Sequence, residues 1–213
     1  MSSRSEQIST LLHERINTGD FPSAVYLVAE KGEIVFQDAL GYAVVEPERI
    51  EAKLDTIYDL ASLTKPLVTG LLAAILIETE ELELGRTTDQ YLPEFNTAEA
   101  FEGAWDTSIP DLAAHTSLFP AWEPIYLRVN SREDVLPEII RLPMNLDGPD
   151  VVYSDLNFLV LMFLVERLRK LGIDKLAIQC IFEPLQLRST FFNPPGEARS
   201  RISASELGNE YER

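Results

Sequence analysis

Ser62-Leu63-Thr64-Lys65 sets a hydroxyl and an amine three residues apart where a strong helical run begins. On a helix, positions i and i+3 share one face, one turn apart. A serine so placed can serve as a nucleophile and a lysine as its base. The positive end of a helix and burial both disfavour an ammonium ion. Lys65 is therefore expected to have a lowered pKa and, when neutral, to take the Ser62 proton. The plain alternative is a capping serine beside an ordinary surface lysine. A lone Ser-x-x-Lys does not choose between the two.

Tyr153-Ser154-Asp155 precedes a second apolar helical run. Positive charge nearby favours phenolate, so Tyr153 can become a proton acceptor. Ser154 could instead relay a proton. Otherwise Ser154 or Asp155 caps the helix and Tyr153 packs in the core. The single cysteine, Cys180, lies in an apolar run and is expected to be a small buried residue. His13 and His115 are far apart and, with one cysteine, make no ligand cluster, so no metal or cofactor is expected.

These groups need elements to hold them. Apolar side chains at Ile8, Leu11, Leu12 and Ile16 predict an amphipathic helix over residues 5–18, stopped by Gly19. Residues 24–29 and 34–40 read as two strands joined by a polar turn containing Gly32, an antiparallel hairpin. Residues 42–53 read as a loop or short edge segment. A helix is expected over 63–81, with Ser62 as its cap and Pro66 in its first turn. Prolines then interrupt the chain as far as Gly148. Helices are expected again over 155–171 and 174–182, followed by a polar tail. Strand signals sit only at the front, and two strands make a marginal sheet.

The 213 residues are 46% hydrophobic and 25% charged, a globular composition. With 35 acidic and 18 basic residues the net charge is -17, which repels phosphate backbones and argues against nucleic acid as a partner. It argues equally against anionic membrane surfaces. The polar start shows no secretory segment. The apolar stretches at 67–77 and 158–165 read as buried helices too short to cross a bilayer. A cytoplasmic location is the expectation.

Order and pairing give the two short motifs their weight. The segment Phe21-Pro22-Ser-Ala24-Val25 through Gly41-Tyr42-Ala43 resembles the opening hairpin of serine β-lactamases of the class C type, their esterase relatives and D-Ala-D-Ala carboxypeptidases. Thr56-Ile-Tyr-Asp-Leu-Ala-Ser62-Leu-Thr-Lys65-Pro66 resembles that family's nucleophile segment. Tyr91-Leu-Pro93-Glu-Phe95 and His115-Thr116-Ser117-Leu118 resemble two landmarks of its helical part. Tyr153-Ser154-Asp155 stands where the family has Tyr-x-Asn, and Ile181-Phe-Glu-Pro184-Leu185 resembles the helix exit that follows.

The resemblance implies an α/β (α+β) β-lactamase/transpeptidase-like fold, an antiparallel sheet with a large helical region. It implies a serine hydrolase that acts through an acyl-enzyme on a small-molecule ester, amide or β-lactam. Ser62 would attack a carbonyl, Lys65 and Tyr153 would accept and return its proton, and the Ser62 N–H would help hold the oxyanion. Asp155, Trp122 and Tyr126 would bind substrate, although Trp122, Tyr126 and Phe119 suit core packing equally well. His115 would brace a loop.

Two departures stand out. Asp155 replaces the commoner Asn; a carboxylate adds negative charge and cannot donate an amide N–H. That counts against β-lactam turnover more than against ester hydrolysis. The family's third motif, Lys/His-x-Gly on a strand, has no match after Tyr153 except Lys170-Leu171-Gly172, which ends a helix. The expectation is therefore one incomplete domain over 1–213. Residues 1–55 hold the first helix and hairpin, 56–190 the helical part, and 191–213 a tail leading to missing strands. Impaired activity and self-association through an exposed sheet edge are expected with it. A catalytically inactive relative that binds ligands or proteins is the alternative.

Overall fold

The computed structural model describes residues 4–97, 100 and 106–205. The chain divides into two compact units, Met1–Leu60 with Phe191–Arg213, and Ala61–Thr190.

The first unit opens with α1 (Arg4–Thr18). Gly19, at φ +84, ends it. β1 (Ser23–Glu30) and β2 (Glu33–Val44) form the antiparallel hairpin, with Tyr26 opposite Asp38. Lys31 and Gly32 both have positive φ (54 and 85). Such a two-residue turn matches the right-handed strand twist. Ser9 ties α1 to the sheet: its Oγ lies 2.7 Å from Tyr26 Oη and donates to Asp38 Oδ2 at 2.8 Å.

Strand structure does not stop at the hairpin, and for the tail the expectation needs correcting. Within the segment expected as a loop or short edge, β3 (Ile50–Glu51) pairs with β2, giving the order β1-β2-β3. The tail is not merely polar loop either. Ile202 bridges Ile57 in parallel, with Ile57 N–H donating to Arg201 O and Ser203 N–H to Ile57 O, both at 2.8 Å. Just before it, a 3₁₀ turn over Gly196–Arg201 buries Ala198.

The second unit is helical. The expected helix over 63–81 is three pieces: a 3₁₀ turn Ala61–Leu63, a π-type run Lys65–Gly70 and α2 (Leu71–Glu78). By length and composition the whole Ala61–Glu78 stretch would suffice to cross a bilayer, more than the apolar run alone suggested. Here its Val68, Leu72, Ala73 and Leu76 enter the core. α3 (Ile109–Ala114) and α4 (Val135–Arg141) follow. α5 (Asp155–Arg169) packs against α2, α3 and α4. It buries Leu156, Val160, Leu161, Leu164 and Val165 almost completely. Each such side chain contributes roughly 1.5–3 kcal/mol of hydrophobic stabilisation. Lys170, at φ 51, closes α5, whose last residue, Arg169, falls two short of the expected end.

α6 (Ile173–Ala177) continues into a π-type run, Ile178–Phe182. Leu176, Ala177, Ile181 and Phe182 turn inward, while Cys180 is only half-buried, not buried as its apolar surroundings suggested. A helical run has an outer face even when every residue on it is apolar.

Candidate active site

Ala61 has φ 43, a left-handed conformation that costs a non-glycine residue about 1–3 kcal/mol. It turns the chain so that Ser62 sits on a 3₁₀ turn ahead of the helix. Ser62 is not the cap; Thr64 holds that position, without a side-chain bond. Instead Ser62 Oγ accepts a hydrogen bond from Lys65 Nζ at 2.9 Å. The start of α5 lies opposite. There Asp155 Oδ1 accepts from Lys65 Nζ at 2.6 Å. The Tyr153 phenol completes the group, and Ser62 and Lys65 both lower its pKa.

The segment carrying Tyr153 is clamped by its backbone. Val152 N–H donates to His115 O at 3.0 Å, Ser154 N–H to His115 Nδ1 at 3.1 Å, and Asp155 N–H to Ala121 O at 3.0 Å. Ser154 occupies the cap position of α5 but makes no capping bond. Its buried hydroxyl donates to Pro120 O at 2.6 Å, which removes it as a proton relay. Tyr153 is half exposed rather than core. Its ring lies 4.7 Å from the His115 ring, and Lys65 Nζ stands 5.1 Å from its centre.

Charge within the group overturns one expectation. Burial favours a neutral Lys65, but hydrogen bonds to Asp155 and Tyr153 and the Asp155 charge outweigh it, so its pKa is raised above 10.5. The charged form of Lys65 is favoured, the reverse of the lowered pKa that the sequence suggested. The helix-end argument considered only its own helix, and the deciding carboxylate comes from another. Tyr153 moves the other way. Its hydrogen bonds from Ser62 and then Lys65 bring its pKa below 10.0. His115 is pulled below 6.5, first by burial and then by the Lys65 charge, with Asp155 acting in the opposite sense. With Nδ1 accepting, its proton sits on Nε2.

A cleft of about 820 Å³ opens beside these groups. Ser62, Lys65 and Asp155 line it, and so do Trp122 and Tyr126, both half exposed. Phe119, for which core and cleft were equally open, is core: it is 1% exposed and meets Phe95 edge-on at 6.4 Å.

A family description, Beta-lactamase, matches residues 8–212. The chain belongs to the Beta-lactamase family. A putative D-alanyl-D-alanine carboxypeptidase of Salmonella schwarzengrund is 29% identical over 97% of this chain and 52% of its own length. A second of the same description, from Salmonella agona, is 28% identical with the same coverage. The chain thus spans about half the length of the relatives it matches. Among solved structures, a class C beta lactamase superposes with TM-score 0.79 at 15% identity, over 93% of this chain and 53% of that one. A beta-lactamase from Sulfitobacter sp. EE-36 gives 0.77 at 21%, over 95% and 54%. The β-lactamase fold, a mixture of antiparallel sheet and helix, is shared with them.

Within this Beta-lactamase family chain, sequence reasoning missed the polar buttress under Tyr153. Asn157 is fully buried; its Oδ1 accepts from Ser117 Oγ at 2.5 Å, and its Nδ2 lies 3.3 Å from His115 Nδ1. The available signal was an asparagine in the first turn of the helix, next to the apolar run 158–165. Such a residue must find partners when buried.

Proposed function

We propose that this chain is a serine hydrolase that forms an acyl-enzyme on Ser62 with an ester, amide or β-lactam substrate. Ser62 Oγ bonds to the substrate carbonyl carbon while its proton passes to Tyr153. The tetrahedral intermediate then expels the leaving group, which takes that proton. Water attacks the acyl-enzyme by the same route in reverse and frees the acid. The observation carrying this reading is the convergence of three groups: Lys65 donates to Ser62 at 2.9 Å, and Lys65 Nζ stands 5.1 Å from the Tyr153 ring centre. An ammonium only donates. With Lys65 donating to Ser62 Oγ, the hydroxyl's own hydrogen is directed to Tyr153. Lys65 then stabilises the phenolate rather than removing the proton itself, and the Ser62 backbone N–H contributes to the oxyanion site.

A binding-only relative has no need of the three groups together. Treatment with a fluorophosphonate and mass spectrometry of the digest separates the two. The adduct is expected on Ser62, absent in Ser62→Ala, and about 10²–10⁴-fold slower to form in Tyr153→Phe. An unlabelled Ser62 in correctly folded protein would overturn the hydrolase reading in favour of a ligand- or protein-binding module.

A further inference from the structure

A cleft that receives a substrate carboxylate needs a cation whose charge is not already paired. Two cations line this one among the described residues, Lys65 and Arg132. The Lys65 charge is paired with Asp155 at 2.6 Å, and Lys65 also donates to Ser62 Oγ at 2.9 Å. The pair is also layered. The Lys65 side chain is 14% exposed and that of Asp155 41%, so an approaching group meets the carboxylate before the ammonium. Arg132 donates to Glu166 Oε2 at 2.5 Å and lies over the Phe163 ring, 5.2 Å from its centre. Most of the remaining wall is apolar, formed by Trp122, Ile125, Val129, Val135, Leu159 and Met162.

We propose that Asp155 is a specificity-determining residue that sorts substrates by charge, so that the cleft accepts uncharged, apolar acyl groups and disfavours those carrying a carboxylate. The proposal rests on the acyl-enzyme reading and narrows its substrate class. Asp155 acts in two ways. It cancels the Lys65 charge that would otherwise attract an anion, and it presents its own charge at the mouth. Two like charges a few ångströms apart at a partly exposed site repel enough to change a rate about tenfold.

Two activated esters of equal acyl length test it: p-nitrophenyl butyrate, and mono-p-nitrophenyl succinate, in which a carboxylate replaces the terminal methyl. The readouts are p-nitrophenolate release and the acyl mass on Ser62. Each rate is divided by that ester's hydroxide-catalysed rate. The butyrate is expected to acylate Ser62 about tenfold faster than the succinate at low salt. Asp155→Asn, which leaves the Lys65 charge uncancelled, should bring the ratio to one or below, and Asp155→Glu should preserve it. The ratio cancels any common effect of the substitution on the chemistry of Ser62. Should the Asn variant not fold, the wild-type ratio is followed into 0.5 M salt, where a charge-based preference must shrink. Equal corrected rates on wild-type Ser62, or a preference untouched by both Asp155→Asn and salt, overturn the charge filter and leave the acyl-enzyme intact. If neither ester acylates Ser62, the hydrolase reading falls and takes the filter with it.

Discussion

In the proposed mechanism Lys65 and Tyr153 divide between them what a single neutral base would do. Against the effect of burial, Asp155, 2.6 Å away, raises the Lys65 pKa, and Ser62 first and then Lys65 lower that of Tyr153. The arrangement fixes the sign of the pH dependence. The working form has Tyr153 deprotonated and Lys65 protonated. Acylation of Ser62 should rise with pH through the Tyr153 pKa, which lies below 10.0, and fall only when Lys65 deprotonates above 10.5. Asp155→Asn removes the strongest interaction raising the Lys65 pKa, so the alkaline fall should begin at lower pH. Acylation rates of p-nitrophenyl butyrate from pH 6 to 11, corrected for hydroxide, give both limbs. A rate that falls between pH 7 and 9 would contradict the assignment of Tyr153 as acceptor. His115 enters only through position: its ring and its carbonyl hold residues 152 and 154 on either side of the phenol.

The hairpin shows how an element can depend on one backbone position. Gly41, in β2, has φ +77, and a Cβ there would stand 2.2 Å from the Pro22 carbonyl oxygen. Gly32, in the turn, has φ +85 but open space around it. Gly32→Ala should therefore cost only the left-handed conformation, about 1–2 kcal/mol. Gly41→Ala should cost that and about 1–3 kcal/mol more, because backbone must move to admit the methyl group. Urea unfolding of the two variants compares them, and equal losses would refute the close approach. Elements of this kind were legible because their signals are local. The hairpin shows alternation and a glycine turn, α1 and α5 show apolar helical runs, and Ser62 and Lys65 share one turn. What stayed hidden depends on distant partners. Lys65 and Asp155 are ninety positions apart, so nothing near Lys65 announced the carboxylate that keeps it charged. β3 spans two residues and the Ile57–Ile202 bridge one pair, too few for any periodicity to show. Trp122 and Phe119 are both aromatic and three residues apart, and only packing separates a cleft wall from a core residue.

At the scale of the whole chain, 35 acidic residues against 18 basic leave a net charge of -17. Self-repulsion on that scale opposes the compact state. Exposed ion pairs such as Arg86–Glu83 and Arg15–Asp20 work the other way, but each is worth only about 0–1 kcal/mol and is itself weakened by salt. The excess of like charge should dominate, so salt should stabilise this protein. Acid should not have the same effect, although it too lowers the net charge. The Glu94 pKa lies below 4.5, chiefly through its hydrogen bond from Arg167. Burial opposes a low pKa at Asp111, yet hydrogen bonds from Ser108 and Thr116 hold it below 3.8. A carboxylate with a depressed folded pKa contributes stability above its unfolded value and loses it as pH falls. His115, depressed below 6.5, loses its contribution in the same direction, starting nearer neutrality. Thermal unfolding should therefore move up by a few degrees between 0.02 and 0.3 M sodium chloride at pH 7.5, where screening shortens to under about 10 Å. It should move down between pH 7 and pH 4 at fixed salt. A melting temperature that drops as sodium chloride is added would show that specific ion pairs, not the net charge, govern the stability of this chain.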